Sequence, residues 1–248
     1  MKIAILSDIH GNMLALNAVL DDISAEKCDK TFFLGDYVLA GPEPLPTLDY
    51  CMHLATYNNT EMIQGNTDKM LVECNDELVE TLKQNGAPIM ANALRDDSSK
   101  LNENQKEFLK NLPAQKEIEI EGVKLLLVHG SPRRNNEDIL PDTDLKLLHE
   151  MIDGVSADVI LCGHTHIPCG FQTKTKKTVI NVGSVGRPFT ENPDPCYLIL
   201  DINNKKFTIQ HKYIKYDNKK ASSILAQREF EGADKLAQML INPSIRHM

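Results

Sequence analysis

Residues whose side chains can hold a metal ion recur along this sequence, each at the end of a short apolar run. In chain order they are Asp8 and His10, Asp36, Asn66, His129, and His164 with His166. A single Asp, Asn or His in such a place is more often a turn residue or a structural histidine. Five apolar runs in succession that all end this way are hard to attribute to turn chemistry, so we expect a shared site.

The donor atoms of these side chains indicate which ions the site would hold. Carboxylate, amide-oxygen and imidazole donors together suit divalent Mn, Fe, Zn, Ni or Co. Calcium and magnesium instead prefer sites built from oxygen alone. Asp8 and His10 are separated by one residue, so in an extended segment their side chains leave the same side of the backbone. Both could therefore reach one ion.

Hydrophobic patterning indicates the elements that position these residues. Largely apolar runs bounded by turn residues, as at 3–6, 31–34 and 123–128, are typical of buried strands. Strand, polar turn and helix alternate over residues 1–85, which favours a parallel sheet with its turns along one edge. Ligands of open α/β sheets bind at that edge. The metal-capable side chains should converge there if the strands share a sheet.

The rest of the chain is predicted to contain helices, further strands and a final helix. Residues 69–112 lack strand signals, and within them Asn102 and Gln105 have the spacing of a capping box. Pro113 should end that helix. From residue 169 the pattern becomes antiparallel, with strands predicted at 169–173, 178–182, 196–202 and 206–214. Apolar residues between 224 and 240 predict one closing amphipathic helix.

Composition limits the class of protein. The chain has 248 residues, 42% hydrophobic and 25% charged, as expected of a single domain spanning 1–248. Its formal net charge is −8 and it has no basic run, so a nucleic-acid polymer is not an expected partner. The sequence shows no C-x-x-C pair, no signal peptide and no apolar window approaching a membrane span. We therefore expect a cytoplasmic protein with no membrane partner.

The order and context of the polar blocks resemble the calcineurin-like metallophosphoesterase family. The resemblance is carried by Asp8-x-His10, Gly35-Asp36, Gly65-Asn66, His129-Gly130 and Gly163-His164-Thr165-His166. Residues 181–186 match the family pattern as well, and within the family residues 38–42 and 183–186 resemble bacterial predicted phosphodiesterases related to diadenosine tetraphosphatases. The resemblance implies an α/β fold of two facing mixed β-sheets flanked by helices, an α/β/β/α sandwich. It also makes residues 69–112 a helical cap insertion near the site.

The same resemblance implies a dinuclear metal centre. Asp8, His10 and His166 would hold the first ion, Asn66, His129 and His164 the second, and Asp36 would bridge the two. Manganese is the expected metal, with Fe, Zn, Ni or Co as alternatives. Two such ions about 3.5–4 Å apart lower the pKa of a bridging water and clamp phosphate oxygens. Asp36, Asn66 and His129 would then serve catalysis directly.

One position departs from the family pattern. Many members have histidine where this chain has Thr67, and pair it with an aspartate where this chain has Leu39. Loss of a general acid typically costs about 10²–10⁴-fold in rate when the leaving group is a strong base. The sequence therefore favours phosphoanhydrides or activated phosphodiesters as substrates over alkyl monoesters. The alternative is that Thr67 packs and another group donates the proton.

Four residues are candidates for substrate binding. Arg133 and Arg187 follow two of the motif loops and could each fork onto a phosphate, although either could be an ordinary surface arginine. Thr67 lies within the third motif. Asn12 follows the first motif, where capping the next helix is a simpler role than facing substrate. The remaining histidines have no supporting motif and are expected to be structural or exposed; they are His53, His149, His211 and His247.

The sequence therefore predicts a metal-dependent phosphoesterase that acts on a small, nucleotide-like phosphorylated substrate. The predicted reaction is hydrolysis of a phosphodiester or phosphoanhydride bond. One alternative is a phosphatase acting on phosphoproteins or phosphomonoesters with the same metal core. Another is a non-catalytic scaffold of the same fold, which is disfavoured because the ligand set is intact. The sequence leaves the oligomeric state open.

Overall fold

A computed structural model of the protein describes residues 1–244, so His247 lies outside the described residues. The first half comprises β1 (Lys2–Leu6), α1 (Met13–Glu26), β2 (Lys30–Phe33), α2 (Pro44–Leu54), β3 (Thr60–Met62), α3 (Asn66–Val72), α4 (Asp76–Gln84), α5 (Pro88–Lys100) and α6 (Glu103–Asn111). The second half comprises β4 (Gln115–Ile120), β5 (Val123–Val128), α7 (Leu145–Ile152), β6 (Val159–Cys162), β7 (Cys169–Gln172), β8 (Thr178–Asn181), β9 (Cys196–Asn203), β10 (Lys206–Tyr213), α8 (Asn218–Ala226) and α9 (Ala233–Met239). Within residues 1–244, no helix is both long and apolar enough to span a bilayer.

The strands form two mixed sheets of five strands each. The first has the order β10-β9-β1-β2-β3, and the second has the order β4-β5-β6-β8-β7. In the first sheet β1, β2 and β3 are parallel, as the alternation of strands and helices predicts, with Ile5 opposite Phe32. In the second sheet β5, β6 and β8 are parallel. Both sheets therefore have an edge at which the carboxyl ends of parallel strands meet.

The antiparallel arrangement predicted after residue 169 is confirmed for two hairpins, but β8 also pairs with a strand that precedes residue 169. The β7–β8 and β9–β10 pairs are antiparallel. However, β8 is parallel to β6, with Leu161 opposite Ile180. After β6 the chain forms β7 at the edge of the sheet and then β8, which lies between β6 and β7. Strand β8 is therefore antiparallel to β7 on one side and parallel to β6 on the other.

Alternation along the strands produces two separate apolar layers. Ile3 and Ile5 face the second sheet and meet Leu125 and Leu161 in the layer between the sheets. Leu6 and its alternating neighbours on β1 face the helices on the outer side of the first sheet. On the outer side of the second sheet, α7 packs over β5, β6 and β8. This is the predicted α/β/β/α sandwich.

Residues 69–112 are helical, as predicted, and belong to α3–α6. Asn102 and Gln105 form the predicted capping box, with each side chain accepting a hydrogen bond from the other's backbone N–H. The helix ends at Asn111, two residues before Pro113. Leu71 and Leu109 pack into the apolar layer on the outer side of the first sheet. The segment is therefore anchored to that layer.

The prediction of a single closing helix is wrong. The chain forms two helices there, α8 and α9, and the second begins after Gly232 at φ +95°. That left-handed conformation is readily adopted by glycine and breaks the helical path. Leu225 on α8 and Leu236 on α9 both remain in the apolar layer. The hydrophobic spacing predicts their burial but not the break between them.

Candidate metal centre

The predicted ligands lie at the carboxyl ends of strands from both sheets. Asp8 and His10 follow β1, Asp36 follows β2, Asn66 begins α3 after β3, His129 follows β5, and His164 and His166 follow β6. The convergence expected from the sequence therefore occurs, but it joins two sheets instead of one. Since the sheets pack face to face, their ligand-bearing edges meet at one cleft.

Most of these ligands adopt a backbone conformation that L-residues rarely take. Positive φ angles occur at Asp8 (+56°), His10 (+47°), Asp36 (+60°), His164 (+65°) and His166 (+61°). Strained backbones persist where the surrounding structure holds them, and they cluster at functional sites. The strand ends are thus shaped to direct side chains into the cleft. Five of the seven predicted ligands share this feature.

One group of donors comprises Asp8, His10 and His166, all buried. His166 Nε2 lies 3.2 Å from Asp8 Oδ1 and 3.2 Å from His10 Nε2. His10 Nε2 is 3.9 Å from the same carboxylate oxygen. These are the three residues that the family resemblance assigns to the first ion.

A second group comprises Asp8, Asp36 and His129, also buried. His129 Nε2 lies 3.4 Å from Asp36 Oδ2 and 3.8 Å from Asp8 Oδ1, and Asn66 Oδ1 is 3.0 Å from the same nitrogen. Asp36 Oδ2 is also 3.7 Å from His10 Nε2, as a bridging position requires. Asp8 contributes to both groups as well, which the sequence did not predict.

His164 stands at the margin of the second group. Its ring centroid is 5.3 Å from that of His129, and its backbone N–H donates to Asp8 Oδ2 at 3.0 Å. Its Nε2 lies 3.4 Å from Asp138 Oδ1, a neighbour that the sequence analysis did not identify. The His164 side chain is therefore close to the second group without belonging to either donor cluster.

Three imidazoles are oriented by backbone carbonyl groups. The Nδ1 atoms of His10, His129 and His166 lie 2.8, 2.7 and 2.5 Å from the carbonyl oxygens of Leu39, Leu34 and Arg187. Because a carbonyl can only accept, each Nδ1 must carry the proton. In the neutral ring, each Nε2 then presents a lone pair to the cleft. This is the arrangement found for metal-bound histidine.

The donor set fits a divalent cation. Asp8 Oδ1 is buried and has no hydrogen-bond partner, although it lies among three imidazole nitrogens. Buried lone pairs that face one another are costly unless a positive charge lies between them. Carboxylate, amide and imidazole donors are those preferred by Mn, Fe, Zn, Ni or Co. These residues could hold one or more such ions.

The electrostatics of the cleft also favour positive charge. Burial would lower the pKa of His129, but the carboxylates of Asp36 and Asp8 raise it to about 10, so a proton competes with a metal ion for Nε2. Burial opposes ionisation of Asp8, yet the nearby His166 and His129 lower its pKa to about 2. Burial and the neighbouring His166 lower the pKa of His10 to about 4. The two carboxylates therefore remain anionic in the folded protein.

Asp68 supports the centre without facing it. Its carboxylate accepts hydrogen bonds from the backbone N–H groups of Gly65, Asp36 and Tyr37 at 2.8–2.9 Å. Burial and the charge of Asp36 raise its pKa to about 7. Asp68 thus fixes the turn that presents Asp36. The sequence analysis missed Asp68, although an acidic residue three positions after the helix N-cap, here Gly65, is the spacing of a capping box.

The segment after β8 braces the ligand loops. Asn181 Nδ2 donates to Gly163 O at 2.5 Å, and the N–H of Gly186 donates to Asp8 O at 2.9 Å. Ser184 Oγ donates to the same carbonyl of Asp8 at 2.9 Å. Gly163 must be glycine, since a Cβ there would lie 2.6 Å from Asp8 Oδ2. Residues 181–186 therefore hold in place the loops after β1 and β6, which carry candidate ligands.

Arg187 lies beside the first donor group. Its Nε is buried without a hydrogen-bond partner, while Nη1 and Nη2 lie 3.6 and 3.7 Å from Met90 Sδ on α5. Burial lowers its pKa to about 10. Phe189, which the sequence analysis missed, stacks on His166 at 4.5 Å and lies 5.4 Å from the guanidinium. Arg187 is thus a cation with an unused donor beside the cleft.

The other three predicted substrate residues already make hydrogen bonds or ion pairs within the protein. Arg133 forms a bidentate ion pair with Glu137. Asn12 is fully buried and caps α1, because its Oδ1 accepts from Ala15 N–H and its Nδ2 donates to Gly186 O. This favours the capping interpretation of Asn12 over a substrate role. Thr67 donates its backbone N–H to Asp36 Oδ1 at 2.9 Å, and its buried hydroxyl has no partner.

The chain belongs to the calcineurin-like phosphoesterase superfamily. The sequence model of the calcineurin-like phosphoesterase superfamily domain matches residues 1–205, which include every predicted ligand. The family resemblance inferred from the motifs is therefore confirmed. The match ends before β10, so β10, α8 and α9 lie outside it.

Similar proteins support the same fold. Uncharacterized protein MJ0912 of Methanocaldococcus jannaschii is 33% identical over 235 residues, covering 88% of this chain and 89% of that protein. The crystal structure of hypothetical protein PH1004 of Pyrococcus horikoshii has a TM-score of 0.85 at 22% identity and covers 99% of both chains. A metallophosphoesterase of Sphaerobacter thermophilus has a TM-score of 0.76 at 22% identity, covering 98% of this chain and 99% of that one.

Proposed function

We propose that the chain is a dinuclear, metal-dependent phosphoesterase that hydrolyses phosphodiester or phosphoanhydride bonds of small nucleotide-like substrates. The observation that carries this proposal is the overlap of the two donor groups, which share Asp8, together with the 3.7 Å distance from Asp36 Oδ2 in the second group to His10 Nε2 in the first. Manganese is the proposed metal, with Fe, Zn, Ni or Co as alternatives. The proposed location is the cytoplasm.

The metal ions would supply Lewis acidity, polarising the phosphoryl group and lowering the pKa of water. The chain's own residues have three further tasks. Asp8 and Asp36 supply negative charge that offsets repulsion between two close cations. Asn66 contributes a neutral oxygen, which leaves the second position more electrophilic than a third carboxylate would. The backbone carbonyls hold three imidazoles with Nε2 toward the cleft.

Arg187 is the proposed contact for a phosphate oxygen. Its guanidinium lies at the edge of the centre, and its Nε has no hydrogen-bond acceptor among the described residues. A charge-assisted hydrogen bond from arginine to phosphate is strong and directional. Arg133 is a weaker candidate because Glu137 already occupies its fork.

The residues at the missing acid positions support a preference for stable leaving groups. Leu39 is fully buried in the apolar layer, and Thr67 supplies only a hydroxyl that is a poor acid. Neither residue can protonate a strongly basic alkoxide. A phosphate or aryloxide leaving group needs no such proton, so the penalty of about 10²–10⁴-fold for a lost acid shrinks.

Side-by-side assays of the Mn-loaded protein test this function. Bis(p-nitrophenyl) phosphate and a dinucleoside tetraphosphate should be hydrolysed faster than an alkyl phosphate or a phosphopeptide, and p-nitrophenyl phosphate serves as a monoester with the same leaving group as the diester. Arg187→Met should raise KM on the preferred substrates by about tenfold, because one charge-assisted hydrogen bond is lost. Met90→Leu is the matched control, since it changes the neighbour of the guanidinium and keeps the cation.

Two results would contradict the proposal in different ways. Preferred hydrolysis of the phosphopeptide would favour a phosphoprotein phosphatase that uses the same centre. Metal binding without hydrolysis of any of these substrates would favour a non-catalytic scaffold.

A further inference from the structure

A short backbone segment holds the imidazole of His10. The carbonyl oxygen of Leu39 accepts from His10 Nδ1 at 2.8 Å. Ala40 follows at φ +68°, a left-handed conformation that is unfavourable for a residue with a Cβ. Gly41 comes next, and a Cβ at that position would overlap the carbonyl of His10. The segment 39–41 therefore lies tightly against His10 in a strained conformation that needs external support.

Two charged side chains supply that support from outside the cleft. Asp97 on α5 is fully buried, and its Oδ2 accepts from Ala40 N–H at 2.9 Å. Arg228 donates from Nη1 to Gly41 O at 2.7 Å and from Nη2 to Asp97 Oδ1 at 2.6 Å. The guanidinium and the carboxylate thus hold the two residues that follow Leu39.

Further contacts hold the guanidinium in place. Arg228 Nη2 also donates to Asp96 Oδ2 at 2.5 Å, and its guanidinium carbon lies 4.7 Å from the centroid of the Phe230 ring. The Arg228 side chain is only 8% exposed. A buried arginine with its fork paired to carboxylates has little freedom to move. Its hydrogen bond to Gly41 O can therefore hold the segment 39–41 in place.

Arg228 belongs to the part of the chain that the family match does not cover. It lies between α8 and α9, beyond residue 205. A second contact from this region reaches Asn12, two residues after His10 in sequence, whose Nδ2 donates to Tyr216 Oη at 3.2 Å. The C-terminal segment 206–244 therefore contacts both the segment 39–41 and the loop that carries His10.

We propose that Arg228 and Asp97 are positioning residues for His10, so that the C-terminal segment completes the first metal position. They act on the carbonyl of Leu39, which sets both the tautomer and the direction of the imidazole. Partners behind a metal-bound histidine typically contribute about 10–100-fold to metal affinity. Arg228 acts one contact further away, so about tenfold is expected. The inference rests on the proposed metal centre and not on the substrate assigned to it.

Calorimetric titration of the metal-free full-length protein with Mn²⁺ tests the proposal. The wild-type chain is expected to bind two ions. In Arg228→Met, and separately in Asp97→Ala, one of the two affinities should fall about tenfold while the other is unchanged. In a His10→Ala background, Arg228→Met should cause no further loss, because the residue that it positions is already absent.

Leu225→Ala is the matched control for destabilisation. Leu225 is buried on α8, near Arg228 in sequence, and belongs to the apolar layer instead of contacting residues 39–41 through hydrogen bonds. Its truncation should lower thermal stability and leave both Mn²⁺ affinities at wild-type values. Circular dichroism of each variant establishes that it is folded, and Asp97→Ala carries the test if Arg228→Met does not fold.

Three results would overturn the proposal, each with its own meaning. Wild-type affinities in both Arg228→Met and Asp97→Ala would remove the positioning role and leave the metal centre standing. An equal loss in Leu225→Ala would show that stability alone is responsible. Failure of the wild-type chain to bind Mn²⁺ would remove the centre itself and the positioning role with it.

Discussion

Asp36 combines more contacts at the centre than a turn residue needs. Its Oδ2 lies within 3.7 Å of both His10 Nε2 and His129 Nε2, while Oδ1 accepts from Thr67 N–H. Asp36→Asn keeps the shape but removes the negative charge by which the second donor group approaches His10 of the first. We expect bound Mn²⁺ to fall below the wild-type stoichiometry and hydrolysis of bis(p-nitrophenyl) phosphate to fall at least about 100-fold.

Metal analysis and steady-state kinetics measure these two effects. Asp201→Asn is the matched control, since it makes the same change at an exposed carboxylate on β9. A wild-type rate in Asp36→Asn would contradict the role of Asp36 as the shared ligand.

Thr67 is the residue at which substrate preference can be altered. Thr67→His would place an imidazole, a potential proton donor, beside Asp36. We expect activity on alkyl phosphates to rise more than activity on dinucleoside polyphosphates, because only the alkoxide leaving group needs a proton. The ratio of kcat/KM for the two substrate classes measures this shift. Thr67→Gln is the control, because it adds bulk and hydrogen bonding without an acid of suitable pKa; an unchanged ratio in Thr67→His would count against the inferred preference.

The elements show which parts of the structure follow from local sequence. Most of the strands that precede the candidate ligands were predictable because they are short, largely apolar runs, and each candidate ligand follows its strand within a few residues. The capping box of α6 was predictable because its two residues, Asn102 and Gln105, are only three positions apart in the sequence. The break between α8 and α9 was not, because the apolar spacing continues across Gly232. The parallel pairing of β8 with β6 depends on how the chain crosses the sheet, which no local pattern records.

The cap of α6 permits a test at the scale of one element. Asn102→Ala removes the acceptor for Gln105 N–H and keeps the backbone N–H of residue 102 that donates to Gln105 Oε1. We expect the free energy of unfolding to fall by about 1 kcal/mol. Urea denaturation measures it, with Glu103→Ala in the same first turn as the control, because its exposed pair with Lys106 is worth little. A fall in Asn102→Ala no larger than in the control would show that the cap adds nothing.

At the scale of the whole molecule, the features that sequence could not predict are contacts between distant segments. Asp97 and Arg228 are 131 residues apart, and nothing around either residue indicates the other. The sharing of Asp8 between the donor groups depends on the packing of two sheets face to face. Motifs in the chain therefore predicted the candidate ligands, whereas the residues that hold them in place required the fold.

The position of the centre between the sheets predicts that metal binding stabilises the entire fold. Asp8 and Asp36 follow strands of the first sheet, and His129 and His166 follow strands of the second, so bound ions would connect the two. A ligand at 100 times its Kd adds about 2.7 kcal/mol to the free energy of unfolding. At about 2–4 °C per kcal/mol for a chain of this size, Mn²⁺ should raise Tm by about 5–10 °C over the metal-free protein.

Differential scanning calorimetry with Mn²⁺, with Ca²⁺ at equal concentration and with a chelator measures this shift. Ca²⁺ should give a smaller shift because it disfavours imidazole donors, and Asp36→Asn should respond less to Mn²⁺ than the wild type. Equal Tm values in Mn²⁺ and in chelator would contradict a metal-bound connection between the sheets.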